Sequence, residues 1–160
     1  MGDTHLLISV LLSILPISEL RGGIPYAFFN GYDLVYATPL CIIANAMVAP
    51  ICYTFLATFH KLFYTHWNWY ISFFDKFIAK AQHRIASKVN RFGYWGILLF
   101  VAIPLPITGA WTGTLGSWIL GLDKRKTMMA VFGGVIVSGL IVTSLVTLGV
   151  GLDSVFIKKI

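Results

Sequence analysis

Apolar residues run along this chain in long blocks, separated by short stretches rich in charge, proline or glycine. Two blocks are long enough to cross a bilayer. Leu34 to Phe59 carries no formal charge and is interrupted only by Pro39 and Pro50; Thr127 to Gly151 is uncharged and rich in glycine and β-branched residues. About 20 apolar residues in a helix span the hydrocarbon core, and glycine and proline are tolerated inside such helices. The remaining blocks are shorter. Leu6 to Leu15 reaches roughly 15 Å as a helix, about half the core. It then meets Pro16, Glu19, Arg21 and Gly22-Gly23, and a second apolar run from Ile24 to Gly31 follows. Trp95 to Leu122 is broken at its middle by Pro104, Pro106, Gly109, Gly113 and Gly116, which leaves two pieces too short to span.

The segment from Ile71 to Phe92 has a different pattern. Its apolar residues fall at Ile71, Phe74, Phe77, Ile78, Ala81, Ile85, Val89 and Phe92, the three-and-four spacing of one helix face. Lys76, Lys80, Arg84 and Lys88 form a strict i,i+4 stripe beside it. The pattern predicts a helix in the membrane interface with its cations on anionic lipid headgroups. Packing against the protein's own body is the alternative.

The chain also repeats itself. Leu15-Pro16-Ile17-Ser18 aligns with Leu105-Pro106-Ile107-Thr108, and Gly23 aligns with Gly113, at a constant offset of ninety positions. Each copy leads through a short polar boundary, Asn30 to Asp33 or Asp123 to Lys126, into a full-length block. The expected fold is an all-α polytopic membrane protein made of two inverted repeats, each a re-entrant helical hairpin plus a transmembrane helix. In one membrane domain, the first hairpin takes 1–32 and the first span 33–59. An amphipathic interfacial segment over 60–94 joins them to a second hairpin at 95–123 and a second span at 124–152.

Composition and charge sharpen this picture. The chain is 58% hydrophobic and 11% charged, where a soluble domain carries about a quarter charged residues. The net charge of +6 points to membrane lipids as partners and to no nucleic acid. If 95–122 is a hairpin, Lys61, Lys76, Lys80, Arg84, Lys88, Arg91, Lys124, Arg125 and Lys126 share one side, leaving Lys158 and Lys159 opposite. The positive-inside rule then places 60–94 in the cytoplasm and both termini outside. The expected location is the inner membrane of a prokaryote. The opening MGDTH predicts neither a cleaved signal nor a myristoyl anchor. Two hairpins and two spans are few walls for a cavity, which suggests a homodimer.

The candidate chemistry sits at the breaks. Charges at such depth mark functional sites unless they are paired or wet, so Glu19 and Arg21 are expected as an ion pair at the tip of the first hairpin. Burial and the neighbouring guanidinium act on the Glu19 carboxyl in opposite senses, so it either takes part in transport or forms a static lock with Arg21. Arg21 suits a phosphate or carboxylate through its bidentate fork. Gly22, Gly23, Pro25, Pro104, Pro106, Gly109 and Gly113 are expected to make the turns, where freed backbone groups line a polar cavity. Ser18, Thr108 and Thr112 contribute hydroxyls to that cavity or bond back to their own helices. Asn45 faces the cavity or bonds a neighbouring helix, and Cys41 and Cys52 read as small packing residues. His60, His66 and His83 lack partners spaced as metal ligands, and Tyr64, Trp67, Trp69 and Tyr70 form an interfacial belt. No nucleophile, phosphate-loop or metal motif occurs, so neither enzymatic activity nor a cofactor is expected.

The strings ELRGGIPYAF near the start and IPLPITGAWTG some ninety residues on resemble the small multidrug export family of short membrane proteins, itself similar to the DedA superfamily. The resemblance implies a transporter-like fold of a re-entrant loop and a helix in two inverted copies. It also implies lipid movement, undecaprenyl phosphate included, and links to the proton-motive force. Glu19 matches an acidic first-loop position of that superfamily. The second loop, Pro104 to Gly116, lacks the usual arginines, which leaves Arg21 or Lys124-Arg125-Lys126 to supply the cation. The expected function is transbilayer movement of an amphiphile such as a polyprenyl phosphate, coupled to protons or sodium. Export of cationic drugs, with Glu19 as counter-charge, is one alternative. A non-transporting membrane organiser is another.

Overall fold

The computed structural model describes residues 2–66, 93–105 and 108–157, whose regular structure is helical throughout. The expected interfacial helix, with Lys76, Lys80, Arg84 and Lys88, lies outside the described residues, as does Pro106.

Helix α1 (Gly2–Ile14) turns over residues 15–18 into α2 (Glu19–Phe29), and the two pack together. Small residues set their spacing. A Cβ on Gly23 would overlap the Ser13 side chain and stand 2.6 Å from the Ser9 carbonyl oxygen. The Ser9 hydroxyl donates to the Gly23 carbonyl at 2.7 Å. Close backbone approach at glycine, with hydroxyls bonded across the seam, is how helices associate where water offers no hydrophobic drive. This corrects one expectation. Gly22, Gly23 and Pro25 lie inside α2 and Gly113 inside a later helix, while residues 15–18 make the turn; Gly23 and Gly113 stand where a Cβ would strike a neighbouring helix.

Gly31 ends α2 in the left-handed region at φ +79°. The N–H groups of Gly31 and Tyr32 reach back to Phe28 and Ala27 at 3.0 and 3.1 Å, the pairing of a glycine C-cap. Asp33 then caps α3 (Leu34–Ala46), its Oδ1 accepting from Val35 N–H at 2.9 Å. Met47 separates α3 from α4 (Val48–His66) because Pro50 has no N–H for the Ala46 carbonyl. Leu34–Phe59 within this pair is long and apolar enough to cross a membrane, as is Lys124–Gly149.

The second half follows the same order: α5 (Gly93–Ala102), a break, α6 (Ala110–Ile119), a turn and α7 (Lys124–Ile157). The α6–α7 turn repeats the α2–α3 turn ninety positions on. Gly121 has φ +67°, Gly121 and Leu122 donate to Trp118 and Ser117 at 3.0 Å each, and Asp123 Oδ1 accepts from Lys126 N–H at 2.9 Å.

Helix α7 packs against α2, α3, α4 and α6, and the core of Leu20, Ile24, Cys41, Val48, Val101, Val131 and Val135 gathers along it. At Gly134 a Cβ would stand 2.6 Å from Val101 Cβ and 2.8 Å from the Leu98 carbonyl, so α5 lies directly on α7. Buried polar groups join other helices. Asn45 donates to the Ser13 carbonyl at 2.7 Å, and Thr38 and Thr143 pair their hydroxyls at 2.9 Å. Asn45 is thus a bond between helices. Cys41 and Cys52 are buried free thiols.

Candidate functional site

The first break, 15–18, meets the described residues of the second, 103–105 and 108–109, and their contacts are polar. Glu19 opens α2 with φ +46°, a left-handed backbone that a side-chain-bearing residue adopts at a cost of about 1–2 kcal/mol. That turn sends its buried carboxylate across to the start of α6, where it faces the N–H groups of Ala110 and Trp111, the latter at 3.5 Å. The N-cap of α6 is Gly109, which has no side chain to cap with. Glu19 therefore supplies the acceptor from another helix, at the end where the helix dipole favours negative charge. Gly109 itself has φ +155°, and a Cβ there would collide with the Glu19 carboxylate.

Arg21 reaches the other way. Its Nη1 donates to the Leu105 carbonyl in the second break, and its Nη2 donates to the Ile17 carbonyl in the first at 3.2 Å. The expected ion pair between Glu19 and Arg21 is thus corrected. The two side chains diverge, one to a helix N-terminus and one to carbonyl groups, because residues two apart at a helix start point in different directions. Trp111 Nε1 completes the contact by donating to the Ile14 carbonyl at 2.7 Å.

A small polar cavity lies at this junction, lined by Glu19, Leu20, Arg21, Pro104, Thr108 and Ser138. Beside it runs an apolar groove of about 260 Å³, lined by Arg21, Pro25, Pro104, Val142, Leu145 and Val146. Arg21 and Pro104 belong to both.

Of the residues expected at a site, Glu19, Arg21, Pro104 and Thr108 line the cavity, and Pro25 lines the groove. Ser18 is spent on the Leu12 carbonyl, and Thr112 leans on the Gly109 carbonyl at 3.4 Å. Thr108 also ties its own break, donating to Ile103 at 2.7 Å. Gly22 and Gly23 face Ser18, Ser9 and Ser13 instead of the cavity.

Two residues were not singled out from sequence. Trp111 corresponds to Arg21 at the ninety-position offset, which is the signal that could have found it. Ser138 is a hydroxyl midway along an apolar block, 8% exposed, with no hydrogen bond among the described residues.

A family model described as "Putative small multi-drug export protein" matches residues 19–141. The chain belongs to that family. No curated protein and no solved structure matches it. The region shared with the small multi-drug export family begins at Glu19 and takes in Arg21, Pro104, Thr108 and Ser138, so every cavity residue lies within it. Family membership and two helices of membrane-crossing length mark the chain as a membrane protein.

Proposed function

We propose that this chain is a transporter that moves an amphiphile with an anionic headgroup across the bilayer, a polyprenyl phosphate being the type case. The observation that carries the reading is the place of Arg21, a guanidinium where a polar cavity meets an apolar groove. A guanidinium fork matches phosphate oxygens, and the groove takes the start of the hydrocarbon chain.

In the membrane, α1–α2 and α5–α6 act as re-entrant hairpins entering from opposite faces, each followed by a span. The matching turns at Gly31 and Gly121 and the contact between the two breaks support this inverted-repeat reading. Broken helices meeting at a repeat interface suit alternating access by rocking of one repeat on the other. The proposal includes a homodimer, an inner-membrane location with the basic segments cytoplasmic, and coupling to protons or sodium. Likeness to the DedA superfamily belongs to the same reading.

The family description favours a second reading, export of cationic drugs. The groove speaks against it. Its charged lining residue is Arg21, while Glu19 lies outside the lining and faces α6.

The test is movement of a fluorescent polyprenyl phosphate in proteoliposomes, with Arg21→Ala beside the native chain. Movement by the native chain and its loss in a folded variant are expected; equal movement by both contradicts the reading.

A further inference from the structure

The start of α6 is served in an unusual way. Its cap residue has no side chain, and the acceptor comes from Glu19, held by a left-handed backbone and seated where Gly109 leaves space. Three further groups converge there without being used up by the carboxylate. Arg21 lines the cavity, and its guanidinium has five N–H donors, of which the Leu105 and Ile17 carbonyls take two. Thr108 lines it as well, its hydroxyl held by the Ile103 and Leu105 backbone. Ser138, more than nine-tenths buried and without a hydrogen bond among the described residues, lines the same space. With Glu19 seated, the cavity volume is about 10 Å³, room for no more than one water.

We propose that the α6 N-terminus is the seat of the substrate's phosphate, and that Glu19 holds this seat as a built-in stand-in that the phosphate displaces. The inference rests on the anionic-headgroup reading and goes beyond it in naming the seat: the Ala110 and Trp111 N–H groups, the Arg21 fork and the Ser138 hydroxyl. A phosphate offers more acceptor oxygens than a carboxylate and reaches Ser138, which Glu19 leaves unbonded. Two anions do not share the seat, since the space and the donors serve one. Substrate binding and release of Glu19 are therefore one event, and the freed carboxylate returns when the headgroup leaves. A helix N-terminus with converging donors is suited to such an oxyanion.

The test is equilibrium binding of inorganic phosphate, and separately of a short-chain prenyl phosphate, to the purified full chain in detergent. The proteins are native, Glu19→Gly, Glu19→Gln, and Glu19→Gly combined with Ser138→Ala. Glycine suits the left-handed φ at position 19, and glutamine keeps the side chain while removing its charge. Vacating the seat is expected to tighten phosphate binding about tenfold, equivalent to about 1.4 kcal/mol. Adding Ser138→Ala is expected to reverse several-fold of that gain. If Glu19→Gly does not fold, Glu19→Gln is expected to move binding in the same direction by less. Binding by the variants no tighter than native, or a Ser138→Ala change without effect, overturns the seat. Tight inorganic phosphate binding alongside a native chain that moves no lipid phosphate leaves the seat standing with a free phosphate as its ligand, and the lipid reading fails. Tighter binding of the prenyl phosphate alone supports the seat with the lipid as its ligand.

Discussion

Arg21 and Trp111 stand ninety positions apart and tie the two breaks together in opposite directions. Arg21 donates to the Leu105 carbonyl of the second break, and Trp111 donates to the Ile14 carbonyl at the end of α1. Glu19 and Gly109, also ninety apart, touch between them. On the inverted-repeat reading, contacts between corresponding positions lie where a pseudo-two-fold axis runs, and the cavity sits beside it.

The clasp has a measurable worth. Trp111→Phe keeps the ring and removes the N–H, so it is expected to cost about 1 kcal/mol, the net value of one neutral hydrogen bond. Arg21→Ala removes two charge-assisted bonds and is expected to cost about 2 kcal/mol or more. Thermal unfolding in detergent checks both, and equal stability of the two variants would contradict the clasp.

Gly109 faces two constraints, its backbone angle and the Glu19 carboxylate. Gly109→Ala is expected to destabilise by about 2–3 kcal/mol, from backbone strain plus a displaced cap. Combining it with Glu19→Gly removes the collision, so the two changes should couple by about 1 kcal/mol. Strict additivity would show that the two positions do not press on each other.

Two other glycines separate packing from flexibility. A Cβ on Gly116 meets nothing within 4 Å, whereas one on Gly134 meets Val101 and the Leu98 carbonyl. Gly116→Ala is expected to stabilise α6 by about 0.5–1 kcal/mol, as alanine does in a helix interior. Gly134→Ala is expected to lower the melting temperature by pushing α5 off α7. The opposite order would place α5 elsewhere.

Leu145 lines the groove and is 60% exposed, so Leu145→Trp adds bulk without crowding the core. Unfolding should stay within about 0.5 kcal/mol of native, while movement of a long-chain polyprenyl phosphate falls. Unchanged movement would take the hydrocarbon chain out of the groove.

Much of the architecture was legible from residue pattern. The uncharged block from Leu34 to Phe59 coincides with the first stretch of membrane-crossing length, which Met47 divides into α3 and α4, and Pro16, Pro104 and Gly109 fall in the breaks. The turns at Gly31 and Gly121 keep the ninety-position offset, but neither glycine was singled out, and the polar boundary of the second copy was read at Asp123 to Lys126, just past Gly121. The site was legible only in part. Glu19 and Arg21 stood out as charges in an apolar run, but the Trp111 N–H that Glu19 faces and the Leu105 carbonyl that Arg21 reaches could not be read from sequence neighbours, because both come from the other half of the chain. Gly23 looked like turn material, yet its role is set by Ser9 and Ser13 across α1. Ser138 was hidden among the hydroxyls of α7, where Thr143, Ser144 and Thr147 bond ordinary partners.

The central claim is that Arg21 selects an anionic headgroup. Its most direct measurement compares three fluorescent amphiphiles in the same proteoliposomes: a polyprenyl phosphate, the uncharged polyprenol of equal length and a lipophilic cation, each with the native chain and with Arg21→Ala. The expected result is movement of the phosphate alone by the native chain, abolished by the substitution with the fold intact. Movement of the cation by the native chain, kept or raised in Arg21→Ala, would contradict the claim and make this protein a drug exporter.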